Sequence, residues 1–136
     1  MIAILDYGSG NLRSAERAFA TSGLDVVVTS DARIAVEADG LVVPGVGAFA
    51  ACMQGLNAID GVSIIKRRLE RERPTFGICI GMQILFALGE EHSEGKPHSG
   101  VGIWPGSISE LTAPILPHMG WNSVEAAHES VLFAGV

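Results

Sequence analysis

Over the first ninety residues, short uninterrupted apolar runs alternate with amphipathic stretches. Ile2-Ala3-Ile4-Leu5 is closed by Asp6-Tyr7-Gly8-Ser9-Gly10, the pattern of a strand buried on both faces and then a turn. Leu12, Ala15, Ala18 and Phe19 recur at helical spacing with Arg13, Glu16 and Arg17 between them, and Gly23 stops that helix. The β-branched Val26-Val27-Val28-Thr29 predicts a second strand. Leu41-Val42-Val43 predicts a third, with Pro44-Gly45-Val46-Gly47 as a loop at its carboxyl end. Ala48 to Leu56 reads as a helix, and Val62, Ile65 and Leu69 mark another, closed by Arg73-Pro74. Phe76-Gly77-Ile78 is a strand leading into Cys79, and Ile84-Leu85-Phe86-Ala87-Leu88 beyond it reads as helical. Strands alternating with helices predict an α/β fold, a doubly wound and mostly parallel sheet with right-handed crossovers. After Gly89 the pattern changes. Glu90 to Gly100 is polar, and the remainder, punctuated by Pro105, Pro114 and Pro117, reads as antiparallel strands and loops.

The 136 residues suit a single domain, 1–136, and a hydrophobic content of 48% excludes disorder. A net charge of −6 argues against nucleic acid or an anionic membrane as partner. Lys66, Arg67, Arg68, Arg71 and Arg73 cluster, but Glu70 and Glu72 interleave them, as on a solvated helix face. The uncharged stretch from Gly40 to Ile59 is long enough to consider as a membrane span. Pro44, Gly45, Gly47 and Gly55 would break such a helix, and Gln54 and Asn57 lie inside it. With no basic leader before Asp6, the expectation is a cytoplasmic protein that does not engage a membrane. Two cysteines and four scattered histidines in no ligand spacing predict no metal and no cofactor. Gly8-Ser9-Gly10 invites a dinucleotide reading, but Arg13 stands where the third glycine belongs.

Candidate chemistry concentrates at Gly77-Ile78-Cys79-Ile80-Gly81-Met82-Gln83. The stretch reads as a strand, a one-residue corner and a helix, with glycine two before and two after the corner so that the backbone turns sharply. Cys79 then stands above the sheet edge at a helix N-terminus, where unpaired N–H groups and the helix dipole favour a thiolate. The Ile80 amide would point at a developing oxyanion. The competing reading is an inert, buried cysteine at a strand end. In an open parallel sheet ligands bind beyond the carboxyl ends of the strands, where Pro44-Gly45-Val46-Gly47 also lies. Without side chains at Gly45 and Gly47 the loop can approach a substrate and add a second amide to the oxyanion hole; Pro-Gly-x-Gly alone is also a plain turn. The implied reaction is acyl transfer through a thioester.

These residues resemble the class I, triad-type glutamine amidotransferases, whose nucleophile motif matches Gly77 to Gln83. Asp6-Tyr7-Gly8-Ser9-Gly10-Asn11, Pro44-Gly45-Val46-Gly47-Ala48-Phe49 and Pro117-His118-Met119-Gly120-Trp121-Asn122 narrow the likeness to the glutaminase subunits of imidazole glycerol phosphate synthases. The resemblance implies that Cys79 attacks the side-chain amide of L-glutamine, with the amides of Gly47 and Ile80 as oxyanion hole. It implies that Gln83 and Gly45 bind the substrate. It also implies a (β/α)8-barrel cyclase subunit as partner, which receives the ammonia and forms imidazole glycerol phosphate and an aminoimidazole carboxamide ribotide. Asn11, Val46, His118, Met119, Trp121 and Asn122 match segments that face that partner. Taken alone, Trp121 also suits a core or surface aromatic, and His118 a loop histidine bonded to backbone.

The chain departs from the family in one respect. The base and its orienting carboxylate come there from a His-x-Glu segment well beyond the position matching Val136, and the apolar Val131 to Val136 is an unusual ending. The expectation is therefore a C-terminally truncated chain with an exposed apolar edge. His92-Ser93-Glu94 has the right residue types but sits in a polar stretch that reads as a solvated loop. Two other functions fit the residues: a non-catalytic chain that binds the cyclase, and a cysteine-elbow protein of the stress-chaperone or deglycase kind. The latter would be expected to carry an acidic residue where Gln83 stands.

Overall fold

The computed structural model describes residues 1–135, so Val136, the last residue of the apolar ending, lies outside the described residues. Twelve elements follow in order: β1 (Ile2–Leu5), α1 (Leu12–Ala20), β2 (Val26–Thr29), α2 (Ala32–Glu37), β3 (Gly40–Gly45), α3 (Phe49–Ala58), α4 (Gly61–Glu70), β4 (Thr75–Cys79), α5 (Ile80–Gln83), β5 (Phe86–Gly89), β6 (His98–Ser99) and β7 (Trp104–Ile108). The first four strands form a parallel sheet in the order β2-β1-β3-β4, so the expected α/β architecture is present. β1 and β3 are almost wholly apolar because they are inner strands covered on both faces. One face packs Leu5, Leu41 and Val43 against Phe49, Leu56, Ile64 and Ile65 from α3 and α4. On the other face Ile4 and Val42 meet Ala15 of α1, with Leu12 and Phe19 alongside.

Arg68 is the one buried charged residue described, and its position fixes how β4 enters the sheet. Its guanidinium donates to the carbonyls of Ala35, Val36, Ala38 and Pro74, closing the end of α2 onto the residue before β4. Burial pulls its pKa down, and like charge on Arg73 adds to that. The interleaved basic cluster is therefore not uniformly a solvated face, since one member is a core residue satisfied by backbone acceptors. Arg71 and Arg73 conform to the surface reading and pair with Glu37.

Two local expectations change, and one helix was not anticipated. Residues 84–88 do not continue a helix; α5 is one turn, Ile84 and Leu85 are buried at a turn, and Phe86 begins β5. Tertiary pairing overrides the helical pattern there, since Phe86 lies opposite Trp104 with the rings edge to face at 5.2 Å. The later strands are not all antiparallel: β6 runs antiparallel to β5, but β7 runs parallel to it. The helix α2 is only six residues long, with Ala35 and Val36 buried, and Asp31 caps it by accepting from the amides of Arg33 and Ile34.

Candidate active site

Cys79 closes β4 and caps α5 with φ 56° and ψ −121°, a conformation that a side chain adopts only under strain. Its thiol is exposed, as the corner reading expected and the inert-core reading did not. The flanking glycines act differently from the expectation that they supply the turn. Neither Gly77 nor Gly81 has a positive φ. Instead they let three pieces of backbone touch. A Cβ on Gly77 would stand 2.5 Å from Met82 Cα, and one on Gly81 would fall on Val43 O. The corner residue bears the strain, and the glycines bear the close packing of α5 on the strands.

The loop after β3 meets this corner through strand register. Gly45 pairs with Cys79, so β3 runs two residues further than expected and ends beside the thiol-bearing residue. Gly45 is buried, and its missing side chain leaves room for Gly81 N and Ile80 C rather than for a ligand. Gly47, at φ +86°, is exposed, and no atom lies within 4 Å of the place a Cβ would take. Ile80 is buried at the first position of α5, where its N–H has no acceptor within the helix. Because α5 has four residues, the field at Cys79 comes from the local N–H groups of one turn more than from a long macrodipole.

Beneath the loop lies a polar cluster that pattern reading missed. Tyr7 is buried and its hydroxyl donates to Pro44 O. Ser9 Oγ lies 3.1 Å from both Val46 N and Val46 O, and 3.1 Å from Cys52 Sγ. The buried Cys52 thiol donates to Val46 O at 3.4 Å. Burial, reinforced by Cys52, pushes the Tyr7 pKa up, so its hydroxyl stays a donor through the neutral range.

A cavity of about 640 Å³ adjoins the corner and is lined by Ile80, Gln83, Glu91, Glu110, Leu116 and His118. It thus brings Gln83 and His118, far apart in sequence, to one place. Neither glutamate stands out in the sequence, where a carboxylate among polar residues looks like part of a solvated loop. His92 and Glu94 line a different cavity of about 560 Å³ with Lys96 and His98, in the exposed β5–β6 connection. Asn11 is exposed and caps α1 by accepting from Ser14 N at 3.1 Å. Val46, Met119 and Trp121 are exposed, Trp121 completely, and Asn122 Nδ2 lies 3.0 Å from His118 Nε2.

No helix among the described residues is long and apolar enough to cross a membrane. Residues 3–136 match the family model described as glutamine amidotransferase class-I. Three curated relatives carry the name imidazole glycerol phosphate synthase subunit HisH. The protein of Corynebacterium diphtheriae is 57% identical over 99% of this chain and 63% of its own length. That of Nocardia farcinica is 59% identical and that of Thermobifida fusca 56%, with the same coverage. The chain spans about two-thirds of the length of these relatives, just under that fraction. A strained cysteine corner in register with a Pro-Gly-Val-Gly loop, on a parallel sheet matched from residue 3 onward, means that the chain belongs to the class I glutamine amidotransferase family.

Proposed function

We propose that this chain forms the glutaminase unit of an imidazole glycerol phosphate synthase. The observation that carries the reading is the pairing of Gly45 with the strained, exposed Cys79, which sets a nucleophile and a glycine loop side by side above the sheet. Cys79 Sγ attacks the side-chain amide carbon of glutamine. The amides of Gly47 and Ile80 stabilise the tetrahedral oxyanion. Collapse breaks the C–N bond and releases ammonia, leaving a γ-glutamyl thioester on Cys79, and water hydrolyses the thioester to glutamate. Gln83 holds the substrate within the adjoining cavity. Glu91 and Glu110 give that cavity the negative charge that suits the α-ammonium of an amino acid. The match covers 63% of the Corynebacterium diphtheriae relative, and the general base and its orienting carboxylate belong to the portion left unmatched.

The partner is a (β/α)8-barrel cyclase subunit that consumes the ammonia. Exposed Met119 and Trp121, with His118, Asn122, Asn11 and Val46, form the docking surface, in which an exposed Trp beside a Met is a suitable anchor. The test is ammonia release from glutamine by the native-length protein with its cyclase, alongside Cys79→Ala. Glutamine should yield ammonia, and the variant should lose turnover by roughly 10⁴-fold or more. Glutamine should also protect Cys79 from alkylation while aldehydes do not. Absence of ammonia release from the assembled complex would overturn the reading in favour of a non-catalytic binding chain.

A further inference from the structure

We propose that Ser107 and Glu90 are positioning residues that set Glu91 in the substrate cavity and so govern how tightly the α-ammonium of glutamine is held. The inference rests on the glutaminase reading and deepens it. β5 and β7 run in parallel, with Leu88 opposite Ser107 and Gly89 opposite Ile108. Side chains alternate along a strand, so Glu90, two residues beyond Leu88, projects on the face that Ser107 shares. There Ser107 Oγ donates to Glu90 Oε1 at 2.6 Å, while Glu90 N donates to Ile108 O at 2.8 Å. A hydroxyl donating to a carboxylate at that distance makes a bond about twice as strong as a neutral one. Gly89 is held by Phe49, whose ring would meet a Cβ there at 2.4 Å. The end of β5 is thus gripped from two sides immediately before Glu91.

Glu91 is half-buried and lines the cavity that also holds Gln83 and His118. Its own contact with a neighbouring side chain is loose: His92 Nε2 stands 3.8 Å from Glu91 Oε1, beyond hydrogen-bond reach. The carboxylate therefore takes its place from the backbone that carries it, which the grip on β5 fixes. Charge gives the pair a second role. Glu90 and Glu110 line a further cavity of about 430 Å³, and Glu110 is shared with the cavity of Glu91, so three carboxylates crowd one region. Like charges repel, and the Ser107 hydroxyl offsets that repulsion by holding Glu90 on β7. Glu91 and Glu110 are then left to face an incoming ammonium group.

The experiment compares glutaminase kinetics of the native-length protein, assembled with its cyclase, for wild type, Ser107→Ala and Ser107→Thr. Ser107→Ala should raise KM for glutamine by about threefold to tenfold while kcat stays within about twofold, the split expected when ground-state binding alone is weakened. Ser107→Thr keeps the hydroxyl and should restore most of the affinity. The decisive readout uses 4-carbamoylbutanoate, which is glutamine without its α-ammonium, as a competitor of glutamine. Its inhibition constant should stay within about 1.5-fold of wild type in Ser107→Ala, because it lacks the group that Glu91 would hold. An unchanged KM, a loss of kcat beyond twofold, equal weakening of glutamine and the competitor, or Ser107→Thr no better than Ser107→Ala would overturn the proposal. A wild-type complex that releases no ammonia would instead overturn the glutaminase reading, and this proposal with it.

Discussion

The corner at Cys79 and the segment Pro117–Asn122 both mark the chain chemically, yet they are built in opposite ways. At the corner, backbone lies on backbone: Gly77, Gly81 and Gly45 leave no room for a Cβ, and Cys79 is held in a strained conformation by its surroundings. The second segment buries almost nothing within the chain. Trp121 is fully exposed and Met119 is 87% exposed, and the hydrogen bond between Asn122 and His118 joins residues four apart. On the function proposed for the chain, the difference teaches where each role would keep its free energy. A reacting corner must be pre-formed, because geometry set in advance is what lowers a barrier. A recognition segment can stay open, because its apolar groups contribute when a partner covers them.

Substitutions at four positions would break or sharpen this contrast. Arg68→Ala removes the donor that ties the end of α2 to Pro74, the residue before β4, and leaves several buried carbonyls unpaired. Denaturant unfolding should show a loss of about 3–5 kcal/mol, and Arg68→Lys should recover only part of it because a lysine cannot reproduce the fork. Gly81→Ala drives a methyl into Val43 O and should cost about 3 kcal/mol, with turnover lost as the corner shifts. Trp121→Ala should leave the unfolding midpoint almost unmoved, within about 0.5 kcal/mol, since the ring packs on nothing in the chain. The same change should weaken cyclase binding by about 2 kcal/mol in calorimetry. A large loss of fold stability there would erase the distinction between the two regions.

The smallest effect is a pH dependence near the entry to β4. Arg71 first, then Arg73 and Arg67, hold the Glu37 carboxyl below its ordinary value of 4.5. A depressed carboxyl stabilises the fold above its unfolded pKa, and that contribution disappears as pH falls through the lower folded value. Glu37→Gln should therefore reduce stability slightly at pH 7, and the gap from wild type should shrink as pH falls below the ordinary glutamate value of 4.5 and vanish once the folded carboxyl is protonated, in paired melts. A gap that persists into acid would assign the effect to packing instead of charge.

Much of this could be read along the chain. The apolar runs Ile2–Leu5, Val26–Thr29 and Leu41–Val43 are strands because inner parallel strands must be apolar on both sides, and that signal is local. Cys79 was legible as a corner because glycine stands two residues before and two after it, a pattern local to the chain. What stayed hidden were groups whose roles depend on distant neighbours. Arg68 looked like one more cation of a solvated face, and only the carbonyls of α2 make it a core residue. Glu91 and Glu110 belong to the cavity only because β5 and β7 pair and carry both beside Gln83.

Residue order alone determined the parallel α/β architecture, the corner cysteine and the glycine loop beyond β3, because each depends on periodicity or on backbone freedom within a few residues. Tertiary structure alone decided that residues 86–89 are a strand, because Phe86 finds Trp104 and not a helical neighbour. It also decided why the corner glycines must be glycines. Their conformations are ordinary, and the reason is contact with Val43 and Met82, atoms that the sequence places apart and the sheet brings together.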